Sequence, residues 1–140
     1  MVAERVEGSE AVDLPAKATP GSACFDLRSA ESVRLERGRV TLVRTGLRLR
    51  PPPGTFLEVR PRSGLSAKGV LMANAPGTVD GDFAGEVRVP LTCLFDDGYL
   101  LRAGDRIAQV RLVEELPASF VLGRVAPVRG RDGGFGSTGR

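Results

Sequence analysis

An all-β domain, whether sandwich, jelly roll or barrel, is the fold class this chain predicts, and three observations predict it. Short segments alternate apolar and polar residues, turn-forming residues recur every roughly 8 to 12 positions, and no stretch of about ten residues carries an amphipathic helical period. In chain order, Leu47 and Leu49 alternate with Arg48 and Arg50, and Phe56-Leu-Glu-Val-Arg repeats the pattern. Val87, Val89, Leu91, Cys93 and Phe95 then alternate with Arg88, Pro90, Thr92 and Leu94, the period-two signature of a half-buried strand. Pro90 has no N–H to give a ladder, which predicts an edge or a bulge there. Ile107-Ala-Gln-Val-Arg-Leu-Val reads as a further strand, and Gly46, Pro51-Pro-Pro-Gly, Asp96-Asp-Gly and Ala103-Gly-Asp mark the turns between these segments. From Val128 the composition changes. Gly130, Gly133, Gly134, Gly136 and Gly139 make a core strand too costly in entropy, so the end of the chain is expected to be disordered or to be an arm that orders on a ligand.

The 140 residues, 41% of them hydrophobic, are enough for one domain with a core of its own. No apolar run approaches the roughly 20 residues that span a bilayer, and the start, Met1 to Lys17, mixes acids and bases without an apolar signal core. A cytoplasmic protein without a membrane partner is the expectation. Cys24 and Cys93 have neither CxxC spacing nor a soft ligand nearby, so both are read as reduced, mostly buried thiols.

The chain contains no histidine. Ser-His-Asp and Cys-His hydrolases, HExxH proteases and zinc sites with histidine are thereby excluded, because imidazole is the part that moves the proton or holds the metal. What remains is carboxylate-driven chemistry or binding alone. Basic residues number 20 against 17 acidic, and all but Lys17 and Lys68 are arginine, whose planar fork suits carboxylates and phosphates. A phosphate-bearing partner is permitted. A polynucleotide is not favoured, since the arginines are dispersed and aromatics make up only 5% of the chain, too few for a base-stacking platform.

Residues 74 to 85 hold the most informative stretch: Asp80, Asp82 and the Phe83 ring within a turn-rich run that leads into a strand. Either aspartate, Asp80 or Asp82, is a candidate general base. Arg60-Pro-Arg-Ser-Gly-Leu combines guanidinium, hydroxyl and a glycine-opened backbone, the parts of a phosphate cradle, although alone it is also an ordinary turn. Gly134-Phe-Gly-Ser-Thr-Gly sets one ring among hydroxyls and backbone N–H groups, without the Gly-Lys-Ser/Thr ending of a Walker loop. Asp26 and Gln109 are uninformative one by one. An aspartate at a strand end is usually a turn residue, and a glutamine on a strand is usually solvated.

Taken in order these segments change the reading, because from Leu14 to Arg140 the chain resembles the trimeric dUTPases in all five of that family's motifs. Gly21-Ser-Ala-Cys-Phe-Asp-Leu is similar to the first, Pro61-Arg-Ser-Gly-Leu to the second, Asn74 through Glu86 to the third, Gly104-Asp-Arg-Ile-Ala-Gln to the fourth and Gly133-Gly-Phe-Gly-Ser-Thr-Gly to the fifth. The resemblance implies a distorted jelly-roll (β-clip) subunit over residues 1–128, a C-terminal arm over 129–140, and a homotrimer with three shared sites. It also implies hydrolysis of dUTP to dUMP and diphosphate with magnesium (Mg2+). Asp80 would activate the water that attacks the α-phosphorus, and Asp26 would hold the metal through water. Arg62, Ser63, Gly64 and Gln109 would clamp the phosphates, joined from the arm by Gly136, Ser137 and Thr138. Asn74 and the backbone up to Asp80 would read the uracil edge, with Gly77 keeping the backbone close, and Thr78, Val79 and Arg88 would line the same hairpin. Phe83 would pack under the deoxyribose and Phe135 over the uracil.

Three departures stand out against the family pattern. Phe83 takes the place of the common tyrosine, keeping the ring and losing the phenol, and Cys24 stands where a glycine is usual. The arm is one residue longer, so either Arg129 or Arg131 is the phosphate-binding arginine. Two rival readings have less support. A dCTP deaminase would call for Arg-Ser-Ser in place of Arg62-Ser-Gly and a glutamate near Pro90, and a binding module without turnover fits poorly with an intact Asp80 and arm.

Overall fold

The computed structural model describes residues 1–126, and in them the regular secondary structure is almost entirely strand. In order the strands are β1 (Val2–Arg5), β2 (Phe25–Arg28), β3 (Val33–Leu35), β4 (Thr41–Arg44), β5 (Leu47–Arg50) and β6 (Thr55–Arg60). A single turn of helix, α1 (Ser63–Ser66), precedes β7 (Val70–Met72), β8 (Gly77–Val79), β9 (Arg88–Cys93), β10 (Tyr99–Leu101) and β11 (Arg106–Glu114). They pair as a four-stranded sheet β2-β11-β6-β8, a three-stranded sheet β4-β9-β7 and two ribbons, β1-β5 and β10-β3. The all-β jelly-roll expectation holds. No helix among the described residues is long and apolar enough to cross a membrane.

The alternation read from sequence builds the core. Leu47 and Leu49, Leu57 and Val59, Val89, Leu91 and Cys93, and Val110 all turn inward and join Leu27, Leu35, Val43 and Leu101 in one buried cluster drawn from all four sheets. Arg48, Arg50 and Arg60 between them stay exposed. Cys93 is buried, its thiol against the carbonyls of Leu35 and Phe95, whereas Cys24 is only half-buried, and neither is in a disulfide.

Pro90 departs from expectation, for it lies on β9, the central strand of its sheet, opposite Leu42 of β4. The geometry explains why this is tolerated. Its carbonyl accepts from the Ala73 N–H at 2.9 Å, so its polar edge faces the β7 side just beyond the end of that strand at Met72. The missing N–H falls where the ladder already stops. Phe95 also leaves the pattern: β9 ends at Cys93, and the exposed Phe95 ring instead covers Gly69, where a Cβ would lie 2.4 Å from a ring carbon.

A bulge in β11 sets up the functional face. Against β2, Arg106 pairs with Arg28 but Ala108 pairs with Leu27, which leaves Ile107 as the extra residue. Ile107 and Ala108 are consequently both buried, and the in–out parity inverts beyond them. Gln109 and Arg111 therefore point to the outer face of the four-stranded sheet, where strict alternation from Arg106 would have sent them inward.

Candidate active site

Directly opposed residues share a sheet face, so register alone assembles a polar row across three strands: Asp26 of β2 and Arg60 of β6 both stand opposite Gln109 of β11. This row floors a cavity of about 580 Å³ whose lining includes Asp26, Ser63, Ser66, Gln109 and Cys24. Asp26 is not the turn residue its isolated sequence context suggested. It is half-buried within β2, and its carboxylate accepts from Arg62 Nε at 3.1 Å and from an Arg106 terminal nitrogen at 3.2 Å. Arg62 also donates to the Arg106 carbonyl at 3.0 Å, which ties the second and fourth motifs together. Gln109 is likewise not simply solvated, since it is half-buried and its Nε2 donates to the Pro61 carbonyl at 3.0 Å. Just after Arg62 the chain turns into α1, the Arg62 carbonyl accepting from the N–H of Leu65 and of Ser66 at 3.0 Å, and this leaves Ser63 and Gly64 exposed, with Ser63 at the cavity wall.

The segment carrying Asp80 projects from the other end of the same sheet. β8 pairs with β6 so that Val79 opposes Leu57 and Thr78 opposes Glu58, which brings Asp80 level with Phe56 at the start of β6. Thr78, Asp80 and Asp82 line a separate cavity of about 490 Å³ with Phe56 and Glu115. Arg60 and Phe56 are four residues apart on β6, so roughly 13 Å of strand separates the Gln109 end from the Asp80 end. Within one chain, then, the phosphate-type residues and the candidate base are not brought together. Asn74 lies against Gly77, where a Cβ would come within 3.0 Å of its amide nitrogen, so glycine is needed for that close approach. Val79 is a core residue, which leaves only its backbone for ligand contact. Phe83 is exposed with its ring over Gly85, where a Cβ would sit 2.7 Å from a ring carbon.

Glu86, which sequence reading left without a role, fixes the base of this segment. Its nearly buried carboxylate accepts from Arg44 Nε at 3.1 Å, from the Gly46 N–H at 2.9 Å and from Arg88 Nε at 3.3 Å. Beside it, the Thr45 hydroxyl donates to the Val87 carbonyl at 2.6 Å. Burial acts to raise the Glu86 pKa, but the Arg44 and Gly46 hydrogen bonds, with the charges of Arg44 and Arg88, hold it below the ordinary carboxylate value. A carboxylate so depressed stabilises the fold fully above its unfolded pKa, and the contribution is lost as pH falls through the folded pKa. Glu86→Gln is therefore expected to cost about 1 to 3 kcal/mol at neutral pH and to flatten the decline in stability below about pH 4, measured by denaturant unfolding across pH. An unchanged pH profile would show that another acid governs this range.

Arg106, the second cation on Asp26, was also missed, although it lies inside the fourth motif; a guanidinium facing an aspartate across a strand pair is visible only once register is known. Arg129, Arg131, Phe135, Gly136, Ser137 and Thr138 lie outside the described residues.

An outer sheet face where serine, glutamine and arginines frame an acidic group has donors suited to an anion, and the comparisons with known proteins give the family. The model of the dUTPase family matches residues 10–139. A deoxyuridine 5'-triphosphate nucleotidohydrolase of Anaeromyxobacter sp. is 47% identical over 131 residues, covering 92% of this chain and 89% of that protein. One from Brucella melitensis is 43% identical over 141 residues, covering 96% and 90%. The crystal structure of dUTPase from Streptococcus mutans superposes with a TM-score of 0.78 at 25% identity, covering 84% of this chain and 98% of that one. The chain belongs to the dUTPase family.

Proposed function

We propose that this protein hydrolyses dUTP to dUMP and diphosphate at sites shared between the subunits of a homotrimer. The observation that carries the reading is the cavity where Asp26, Ser63 and Gln109 converge in a chain that matches the family along nearly its full length. Sharing is supported by the separation just described, because Asp80 reaches the phosphate cavity only if a second copy supplies it. A further support is the run after β11, where Leu116, Phe120, Val121, Leu122 and Val125 are 79 to 108% exposed, an apolar stretch that a neighbouring copy would cover.

In this mechanism Arg62, Ser63, Gly64 and Gln109 hold the triphosphate so that the α-phosphorus stands in line with a water. The Asp80 carboxylate takes a proton from that water as its oxygen bonds to phosphorus. The bond from phosphorus to the bridging oxygen breaks, and diphosphate leaves with the electron pair. Asn74 and the backbone of the hairpin present uracil with partners that cytosine, bearing an amino donor in place of an acceptor, leaves unpaired. Gly77 keeps this backbone too close to admit the thymine methyl. Arg88 is paired to Glu86 at the foot of the hairpin, where it would hold the segment rather than reach the base. From the C-terminal arm, residues 129–140, Phe135 would cover the uracil, while Gly136, Ser137, Thr138 and one of Arg129 and Arg131 would reach the phosphates.

Among the described residues no group of three or more acids, cysteines or histidines is placed to cage a metal, and Asp26 is the one carboxylate lining the phosphate cavity. That donor set fits magnesium carried on substrate phosphates with its own waters, to which Asp26 keeps lone pairs available. When bound, the ion supplies positive charge to the phosphate oxygens. Diphosphate release measured with dUTP, dCTP, dTTP and UTP tests the assignment: dUTP alone should be turned over efficiently, and preference for any other nucleotide would overturn it. Phe83→Ala is expected to raise activity on UTP relative to dUTP by opening space beneath the sugar; an unchanged ratio would remove the ring from sugar selection.

A further inference from the structure

We propose that Arg60 and Arg111 form an additional anion subsite in the phosphate cavity, one that takes the diphosphate end of a nucleoside triphosphate, or inorganic diphosphate itself. The inference rests on the reading of that cavity as the phosphate site. Register places both side chains there: Arg60 stands opposite Gln109, and Arg111, two residues beyond Gln109 on β11, shares its face and stands opposite Glu58. Both arginines line the cavity beside Ser63 and Gln109.

Position sets these two apart, because the charge balance is the same at both places. Asp26 lies between Arg62 and Arg106, and Glu58 lies between Arg60 and Arg111 at 3.5 and 2.9 Å, so each trio carries one positive charge in excess. Of these four arginines, Arg60 and Arg111 are the ones that line the cavity. Glu58 is 18% exposed and the two guanidinia are 48 and 42% exposed, so the acid anchors them from beneath while they reach outward. Arg111 uses Nε for that anchor, and among the described residues its two terminal nitrogens have no hydrogen-bond partner. A planar fork held from behind with its tips open is the arrangement that binds phosphate oxygens bidentately. A surface ion pair alone would need only one of these arginines and no cavity.

Calorimetric titration of inorganic diphosphate and of inorganic phosphate into the full chain, in magnesium buffer, tests the subsite. Arg60→Leu and Arg111→Leu should each weaken diphosphate binding about tenfold, with a smaller effect on phosphate and partial recovery in Arg111→Lys. Thermal unfolding identifies a variant that fails to fold, in which case the Arg111→Lys and Arg60→Leu titrations decide. Diphosphate affinity within about twofold of the parent in the folded variants, or no diphosphate binding by the parent, would overturn the subsite. If dUTP is hydrolysed but diphosphate binding ignores both arginines, the subsite alone fails. If diphosphate binding depends on Arg111 in a chain that does not hydrolyse dUTP, the proposed function fails and the subsite stands.

Discussion

Asp80→Asn is expected to bind dUTP as the parent does and to turn it over about 10² to 10⁴ times more slowly, the contribution of one positioned general base. The amide preserves shape and can still hydrogen-bond a water, but it cannot take the proton as the water oxygen bonds to phosphorus. The position has few substitutes. With no histidine in the chain, the remaining groups lining the Asp80 cavity that could take a proton are Asp82 and Glu115. Single-turnover rates with dUTP, alongside binding of a non-hydrolysable analogue, separate the chemical step from affinity. Near-parental turnover would remove Asp80 as the base and pass the role to Asp82 or Glu115.

Deleting residues 129–140 should leave the β domain folded and lower catalysis roughly 10²-fold or more, since the arm's residue types are those of a clamp and a lid. Phe135 offers a ring for the base, and Ser137, Thr138 and an arginine offer donors to phosphate. In the proposed closure, the five glycines between 130 and 139 would give backbone N–H groups close access at an entropic cost that ligand contacts would offset. The core argues that folding survives the deletion: every residue of the buried cluster lies between Leu27 and Val110. Steady-state kinetics with unfolding curves for the shortened chain would check both halves, and full activity would remove the arm from the mechanism. Arg129→Ala and Arg131→Ala in the intact chain would then tell which arginine contributes.

Much of the fold was legible because strand alternation is a local property: Leu47, Leu49, Val89 and Leu91 could be sent inward from spacing alone. Pro90 misled because its tolerance depends on where a different strand, β7, ends. Gln109 and Asp26 were opaque for a related reason. The bulge at Ile107 that turns Gln109 outward, and the pairing that sets Asp26 opposite it, are long-range facts that no window of sequence contains. The motif resemblance nonetheless picked out both residues, together with Ser63, and these three line one cavity, with Arg62 bonded to Asp26 beside it. Glu86 and Arg106 escaped notice because their partners, Arg44 and Asp26, are 42 and 80 positions away.

Subunit mixing tests the central claim of a shared site most directly. In the proposed trimer, Asp80→Asn removes the base from the hairpin and Arg62→Gln removes the cation paired to Asp26 beside the phosphate cavity, so either variant alone should be nearly inactive. If one subunit's hairpin serves another's cavity, co-expressing the two variants in equal amounts leaves some sites with both intact halves, and dUTP hydrolysis should return to about a quarter of the parental rate. Mixed trimers that stay as inactive as either parent variant would place both halves of every site on one subunit and contradict the account.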